Sequence, residues 1–312
     1  RFRNVTGVQT CALPIYNHIN GMIRDQSGVL WLATEKGVCR YPSKSIKFNN
    51  ARSQQITLRS GEEPPENIRA IVKTDDGLLW FGTENGLYLA ERHGTDAARR
   101  SLEIKKHSQV QGLNIWSLAA DGSQGLWIGT YGSGLFHLDV NTNRLQAVHP
   151  YDKKITIPAI KYNKALFTDK QNKLWIGFWG LGLARLDPAS GECTMWLHDA
   201  KDPHSLSHND VWVISQDSRE RIWIGTNGGG LKLFSPKGGG RFLHWYAGGG
   251  SSEAQAKGPN TSSLTSNSIY AICQWRNGKK SLPPDKTVLW IGTSNGLHKF
   301  VVHNAGPDSL SA

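Results

Sequence analysis

One phrase recurs six times in this chain and narrows the fold more than any other feature. It reads "LWLATEKGVCRY" at 30–41, "LWFGTENGLYLA" at 79–90 and "LWIGTYGSGLFHLD" at 126–139. It returns as "LWIGFWGLGLARLD" at 174–187, "IWIGTNGGGLKLF" at 222–234 and "LWIGTSNGLHKF" at 289–300. Its tryptophans are Trp31, Trp80, Trp127, Trp175, Trp223 and Trp290, evenly spaced except for a longer last interval. A period of this size belongs to blades of four antiparallel strands, so the sequence predicts an all-β chain, a β-propeller with six four-stranded blades.

Twelve positions before each of the first five Trp a short stretch begins, for example "IRAIVKTDDG" at 68–77 or "VWVISQDS" at 211–218, and in the last repeat it begins at Ile269. This is strand A of the blade, and it ends in a polar Asp/Gly turn. The "LWIGT" run is strand B. It is continuously apolar, as expected of a strand covered on both faces. In a propeller each blade lies between two others, and the Trp fills the gap between them. Full burial of such a ring stabilises by roughly 3 kcal/mol. The Gly two places after the Trp (Gly82, Gly129, Gly177, Gly225, Gly292) leaves room for a neighbouring group. A Gly-containing turn leads to strand C, and a more polar segment such as "TMWLHD" at 194–199 is strand D. Repeat 1 departs with Ala33 and repeat 4 with Phe178. The extra length of the last interval is placed at hairpin tips, around 247–268 and 276–287.

The phrases "DPHSL" (202–206) and "NTSSL" (260–264) each precede a strand A, and "PDSLSA" (307–312) repeats them. Residues 17–306 are therefore read as six blades of a seven-bladed ring, with 307–312 as the start of a further repeat. At the other end, "VTGVQTCALPI" (5–15) resembles a translated sequencing adapter, and 1–16 are set aside as an artefactual N-terminus.

The repeats resemble the two-component regulator propeller repeats, of the form N-x-I-x-x-I-x-x-D-x-x-G-x-L-W-I-G-T-x-x-G-L, over roughly residues 17–305. The resemblance implies the extracytoplasmic, periplasmic sensor of an inner-membrane bacterial signalling protein, with a histidine kinase or, in some relatives, a diguanylate cyclase as output. The kinase, the membrane helix and any export signal would lie outside this chain, and membrane attachment would come only through those parts. No apolar run here approaches the roughly 20 residues of a membrane helix.

Composition excludes other classes. The net charge is +11, but the Lys and Arg are scattered, with nothing longer than pairs such as Lys279-Lys280. That argues against nucleic acid as a partner. Cys39, Cys193 and Cys273 are too widely spaced for a metal pair and are read as small buried strand residues. The Asp-containing turns lack calcium-loop spacing, and the 11 His show no metal-ligand spacing, with His208 read as a surface polar residue. No cofactor, metal or catalytic residue is expected.

The start of strand A and the B–C turn lie at the same end of a blade. The variable position after each strand-A start is Asn20, Arg69, Trp116, Lys164, Trp212 and Tyr270, and the B–C turns add Glu35, Glu84, Asn85, Tyr131, Trp179, Asn227, Ser294 and Asn295. Two readings compete for these side chains. They pack between blade rims, or they form a shallow polar-aromatic site for a small polar molecule or oligosaccharide, whose apolar faces stack on rings while its hydroxyls hydrogen-bond. Two other function classes stay open: a propeller lyase, since antibiotic-inactivating lyases use a related repeat, and an interaction platform for a second propeller or a second copy of the chain.

Overall fold

The computed structural model describes residues 19–24, 29–41, 57–58, 65–93, 101–122, 125–148, 151–152, 155–156, 161–236, 239–248, 264–274 and 286–303. Every strand in these stretches except one short pair belongs to a blade-type sheet, and the described residues contain no α-helix. The fold is an all-β β-propeller of six blades. The terminal segments 1–18 and 304–312, and with them the adapter-like stretch and "PDSLSA", lie outside the described residues.

The chain divides into two compact units, one of residues 1–149 and 159–162, the other of 150–158 and 163–312. The first holds three blades. Blade 1 comprises Ile19–Arg24, Leu30–Thr34 and Gly37–Tyr41. Blade 2 comprises Ala70–Lys73, Leu79–Thr83, Gly86–His93 and Ser101–Gln111, with Thr57–Leu58 added in parallel at its outer edge. Blade 3 comprises Ile115–Ala120, Gly125–Thr130, Leu135–Asp139 and Arg144–Val148. The second unit carries the hairpin Tyr151–Asp152/Ile155–Thr156 and three more blades. Blade 4 is Asn163–Thr168, Leu174–Phe178, Leu183–Leu186 and Cys193–Trp196; blade 5 is Val211–Gln216, Ile222–Thr226, Leu231–Ser235 and Arg241–Trp245. Blade 6 is Ile269–Gln274, Lys286–Thr293 and Gly296–His303. Four strands were expected throughout, whereas blades 1 and 6 show three among the described residues.

The repeated residues explain how one blade seats on the next. Trp31 packs with Ile68 and Phe81 of blade 2, and Trp80 with Ile115 and Leu118 of blade 3. In the second unit, Trp175 meets Val211 and Ile214, and Trp223 meets Ile269 and Leu289. Each of these rings thus faces the blade that follows it in sequence. Trp290, which has no following blade among the described residues, is only half-buried, so the expected sealing of all six rings stops short at the last one. The strand-B glycines make the close approach possible. A Cβ on Gly82 would lie 2.5 Å from Ile115 Cγ2, one on Gly177 2.6 Å from Val211 Cγ1, and one on Gly225 2.5 Å from Ile269 Cγ2. In every case the intruding side chain is the first residue of the next strand A.

The motif Asp is a structural acceptor. Asp169 Oδ1 accepts the Gln171 and Lys173 N–H groups (3.0 and 2.9 Å), and its Oδ2 accepts the Trp175 indole N–H at 2.7 Å. Asp217 does the same for Arg219, Arg221 and the Trp223 indole, at 2.9, 3.1 and 2.9 Å. These turns are therefore closed on themselves. Blade 3 differs: Asp121 takes Gly125 N–H at 2.7 Å and His137 Nε2 at 2.8 Å instead of its own tryptophan. The "DPHSL" and "NTSSL" leucines, Leu206 and Leu264, are core plugs. The asparagines three positions later cap strand-D ends: Asn209 Oδ1 accepts His198 N–H at 2.8 Å, and Asn267 Oδ1 accepts Ala247 N–H at 2.6 Å. Of the cysteines, Cys193 is buried as expected. Cys273 corrects the expectation: it is exposed, while Ile269 and Ile272 are the residues of its strand that enter the core. The Cys39 side chain lies outside the described residues.

Candidate functional site

The B–C turns form a rigid rim. Thr34, Thr83, Thr130, Thr226 and Thr293 each donate their hydroxyl to the carbonyl of the turn glycine, at 2.7, 2.9, 2.6, 3.2 and 3.1 Å. Backbone bonds then weld the turn to the start of the next strand A: Ile68 N to Thr34 O (3.1 Å), Gly182 N to Asn209 O (2.8 Å) and Gly230 N to Asn267 O (2.8 Å). A rim tied in this way loses little entropy on binding a ligand.

Strand A carries a register shift at its second residue in five blades. The shifts fall between Ile19 and Gly21, Asn163 and Ala165, Val211 and Val213, and Ile269 and Ala271, and opposite Gly129 and Thr130 in blade 3. The extra residues are Asn20, Trp116, Lys164, Trp212 and Tyr270. A bulge leaves its residue out of the ladder and re-aims the side chain, a device common beside functional sites. Blade 2 reaches the same place differently. Arg69 stands just before its strand, with its N–H on Gly82 O at 2.8 Å. In five blades the variable position is thus the one that strand A skips in pairing, whereas in blade 2 the Arg69 N–H is bonded to strand B.

In the first unit, Asn20 Nδ2 donates to Ile68 O at 2.8 Å, so that amide serves the joint between blades 1 and 2. Arg69 lies over the Trp116 ring at 5.6 Å, and Trp116 stacks on Tyr131 with centroids 4.6 Å apart. Tyr131 in turn meets Tyr162 at 4.8 Å. Glu84 faces Arg69 Nη2 at 3.4 Å and accepts Asn67 Nδ2 at 2.8 Å. Both members of this ion pair are substantially exposed, so it orients more than it stabilises.

In the second unit, Lys164 Nζ lies over Trp212 at 5.6 Å, and Trp212 meets Tyr270 at 5.0 Å. Bulged residues of three successive blades therefore form one cation–aromatic ladder. Trp179 is 48 % exposed on the blade 4 turn. Asn227 Oδ1 accepts the Ser268 hydroxyl at 3.0 Å. His208 is half-buried, its Nδ1 accepting Asp210 N–H at 3.1 Å. The structure brings together Arg69, Trp116 and Tyr131 in one unit and Lys164, Trp212 and Tyr270 in the other.

Sequence reasoning passed over three features. Tyr162 precedes strand A of blade 4, outside the position used as a guide. Asn67 stands next to the motif asparagine position, which Glu66 occupies in blade 2, so the repeat did not point to it. Lys232 sits in an otherwise apolar strand C, fully buried, with its ammonium donating to Thr226 Oγ1 (2.8 Å), Gly230 O (2.8 Å) and Gly229 O. Burial pushes its pKa well below the usual lysine value. Its cross-strand partner His244 is buried too, and burial, then the Lys232 charge, lower the imidazole to about 4. The Gly228-Gly229-Gly230 turn is thus held from beneath by a buried cation. Among the described residues, no three His, Cys, Asp or Glu side chains are grouped as metal ligands.

Fold and site together define a tryptophan-anchored β-propeller whose bulged strand-A residues gather aromatic and cationic side chains on the rims of its blades. The family model described as two-component regulator propeller matches residues 62–85 and 205–228. A histidine kinase P4 from Formosa agariphila is 26 % identical over 195 residues, which is 60 % of this chain and 13 % of that protein. The chain therefore corresponds to a small part of that relative's length. Among solved structures, the extracellular domain of the putative hybrid two-component system BT3049 from B. thetaiotaomicron aligns with a TM-score of 0.55. It is 21 % identical, over 93 % of this chain and 40 % of that one. A catalytically inactive virginiamycin B lyase from Staphylococcus aureus, with quinupristin, aligns at 0.60 and 12 % identity, over 93 % of this chain and 82 % of that one. At these identities the structural likenesses establish the fold alone.

Proposed function

We propose that the chain is the extracytoplasmic ligand-sensing propeller of a membrane-bound two-component signalling protein, with a histidine kinase as its output, and that it binds its ligand without transforming it. The observation that carries the reading is the strand-A bulge. A repeat that is otherwise uniform releases one residue from sheet pairing in five of its six blades, and those residues differ from blade to blade in the manner of a recognition surface. The regulator-propeller repeats and the histidine kinase relative support the signalling context, and the extracellular domains among the structural neighbours support the placement. Exposed rings beside amides and cations suit a carbohydrate.

The test is binding without turnover. The chain is screened by thermal shift and calorimetry against oligosaccharides, and each hit is recovered and weighed by mass spectrometry. Saturable binding with an unchanged ligand mass is the expected result. A hit returned with altered mass would replace the sensor reading with the enzymatic one that the lyase likeness brings to mind.

A further inference from the structure

We infer that Tyr131 and Tyr162 form the ligand-contacting platform of the first unit, that it accepts a neutral, hydroxyl-rich ring, and that Trp116 and Arg69 are positioning residues behind it. The inference rests on the ligand-sensing reading above and assigns its contact residues and the charge of its ligand.

Exposure separates the roles. Tyr131 and Tyr162 are 41 % and 36 % exposed, whereas Trp116 is half-buried, with Tyr131 stacked on it and Arg69 over it. A ring already engaged with a cation and a phenol has little face left for a sugar. The two tyrosines instead meet at 53°, and their backbones are joined by a β-bridge. Tyr131 N–H donates to Asn114 O at 2.8 Å, and Gly132 N–H to Lys161 O. Both phenols are therefore fixed in place while more than a third of each residue stays exposed, which keeps the entropic cost of stacking small.

Charge and hydrogen-bonding capacity indicate the ligand. The Arg69 guanidinium is matched by Glu84, and Lys161 stands exposed at the margin. The Arg69–Glu84 pair presents a donor and an acceptor side by side, and hydroxyl groups, which both donate and accept, can serve both, whereas a carboxylate or sulfate only accepts and would face Glu84.

The full chain is titrated, by calorimetry and by intrinsic fluorescence, with neutral oligosaccharides (cello-, manno- and xylohexaose) and with oligomers of uronic acids. The expected result is binding of a neutral hexaose, weakened roughly tenfold or more in Tyr131→Ala/Tyr162→Ala. Tyr131→Phe/Tyr162→Phe keeps the rings and should lose only about threefold. Trp116→Ala should weaken binding, and Trp116→Phe should restore most of it at an unchanged melting temperature, as a positioning role requires. If a neutral hexaose binds but the tyrosine variants, folded as judged by their melting, keep its affinity, the platform is wrong and the sensor reading stands. Preference for the uronic acid oligomers overturns the neutral ligand. Failure of every saccharide to bind removes the carbohydrate reading along with the platform.

Discussion

Gly82 and Ile115 should behave as one steric unit across the joint of blades 2 and 3. A Cβ added at Gly82 would meet Ile115 Cγ2 at 2.5 Å, Ile115 Cβ at 3.2 Å and Leu118 Cδ1 at 3.4 Å. The first distance is far inside van der Waals contact, so either strand B of blade 2 or the first residue of the next strand A must move. Ile115 is fully buried and cannot swing into solvent. Overpacking of this sort costs about 1–3 kcal/mol. Ile115→Ala alone removes buried methyl and methylene groups and should cost about 2–5 kcal/mol. In the double variant the new Cβ at position 82 occupies part of the space that Cγ2 vacates, and its remaining contact, with Cβ of residue 115, needs only a small shift. The two losses should therefore fail to add, with the double variant more stable than their sum by roughly 1–2 kcal/mol. Urea unfolding followed by tryptophan fluorescence measures all four corners of the cycle. Additivity to within about 0.5 kcal/mol would falsify the idea that the strand-B glycine exists to admit the next blade's first residue.

Two further outcomes follow from the same packing. Trp223→Ala should cost about 3–5 kcal/mol, and Trp290→Ala distinctly less, because Trp223 is fully buried against blade 6 while Trp290 is half-buried; equal losses in urea unfolding would contradict this. His244, held at about 4 by burial and by Lys232, binds its proton more readily in the unfolded chain, so its stabilising contribution is complete above about pH 6.5 and is lost as pH falls towards 4. The loss should approach roughly 3 kcal/mol, and His244→Gln should flatten that part of the stability–pH curve; an unchanged acid slope in the variant would show that the imidazole is not its source.

Much of the blade was legible in the chain because its determinants are local. Apolar strand B, turn glycine and motif Asp all act within a single repeat. The six tryptophans could be placed and the strand-A starts counted back from them. Even so, Ala33 shows how the rule bends: in blade 1 it pairs with Gly21, so the small residue has moved across to the partner strand.

The site was legible only in part. Asn20 and Trp116 occupy equivalent positions, yet one amide ties two blades together and the other ring stacks beneath a tyrosine. Nothing in their spacing separates these fates, because each depends on which residue the next blade presents. Tyr162 entered the platform through a bridge to Tyr131, which belongs to the preceding repeat, and Lys232 found its three oxygen acceptors only once the turn above it had closed. The amino-acid order alone determined the repeat, the strands and the end of each blade where the variable residues gather, since these follow from hydrophobic pattern and turn chemistry within one unit. Which of those residues stand exposed and which brace their neighbours was decided by tertiary structure, because exposure and stacking are properties of pairs of side chains brought together from different blades.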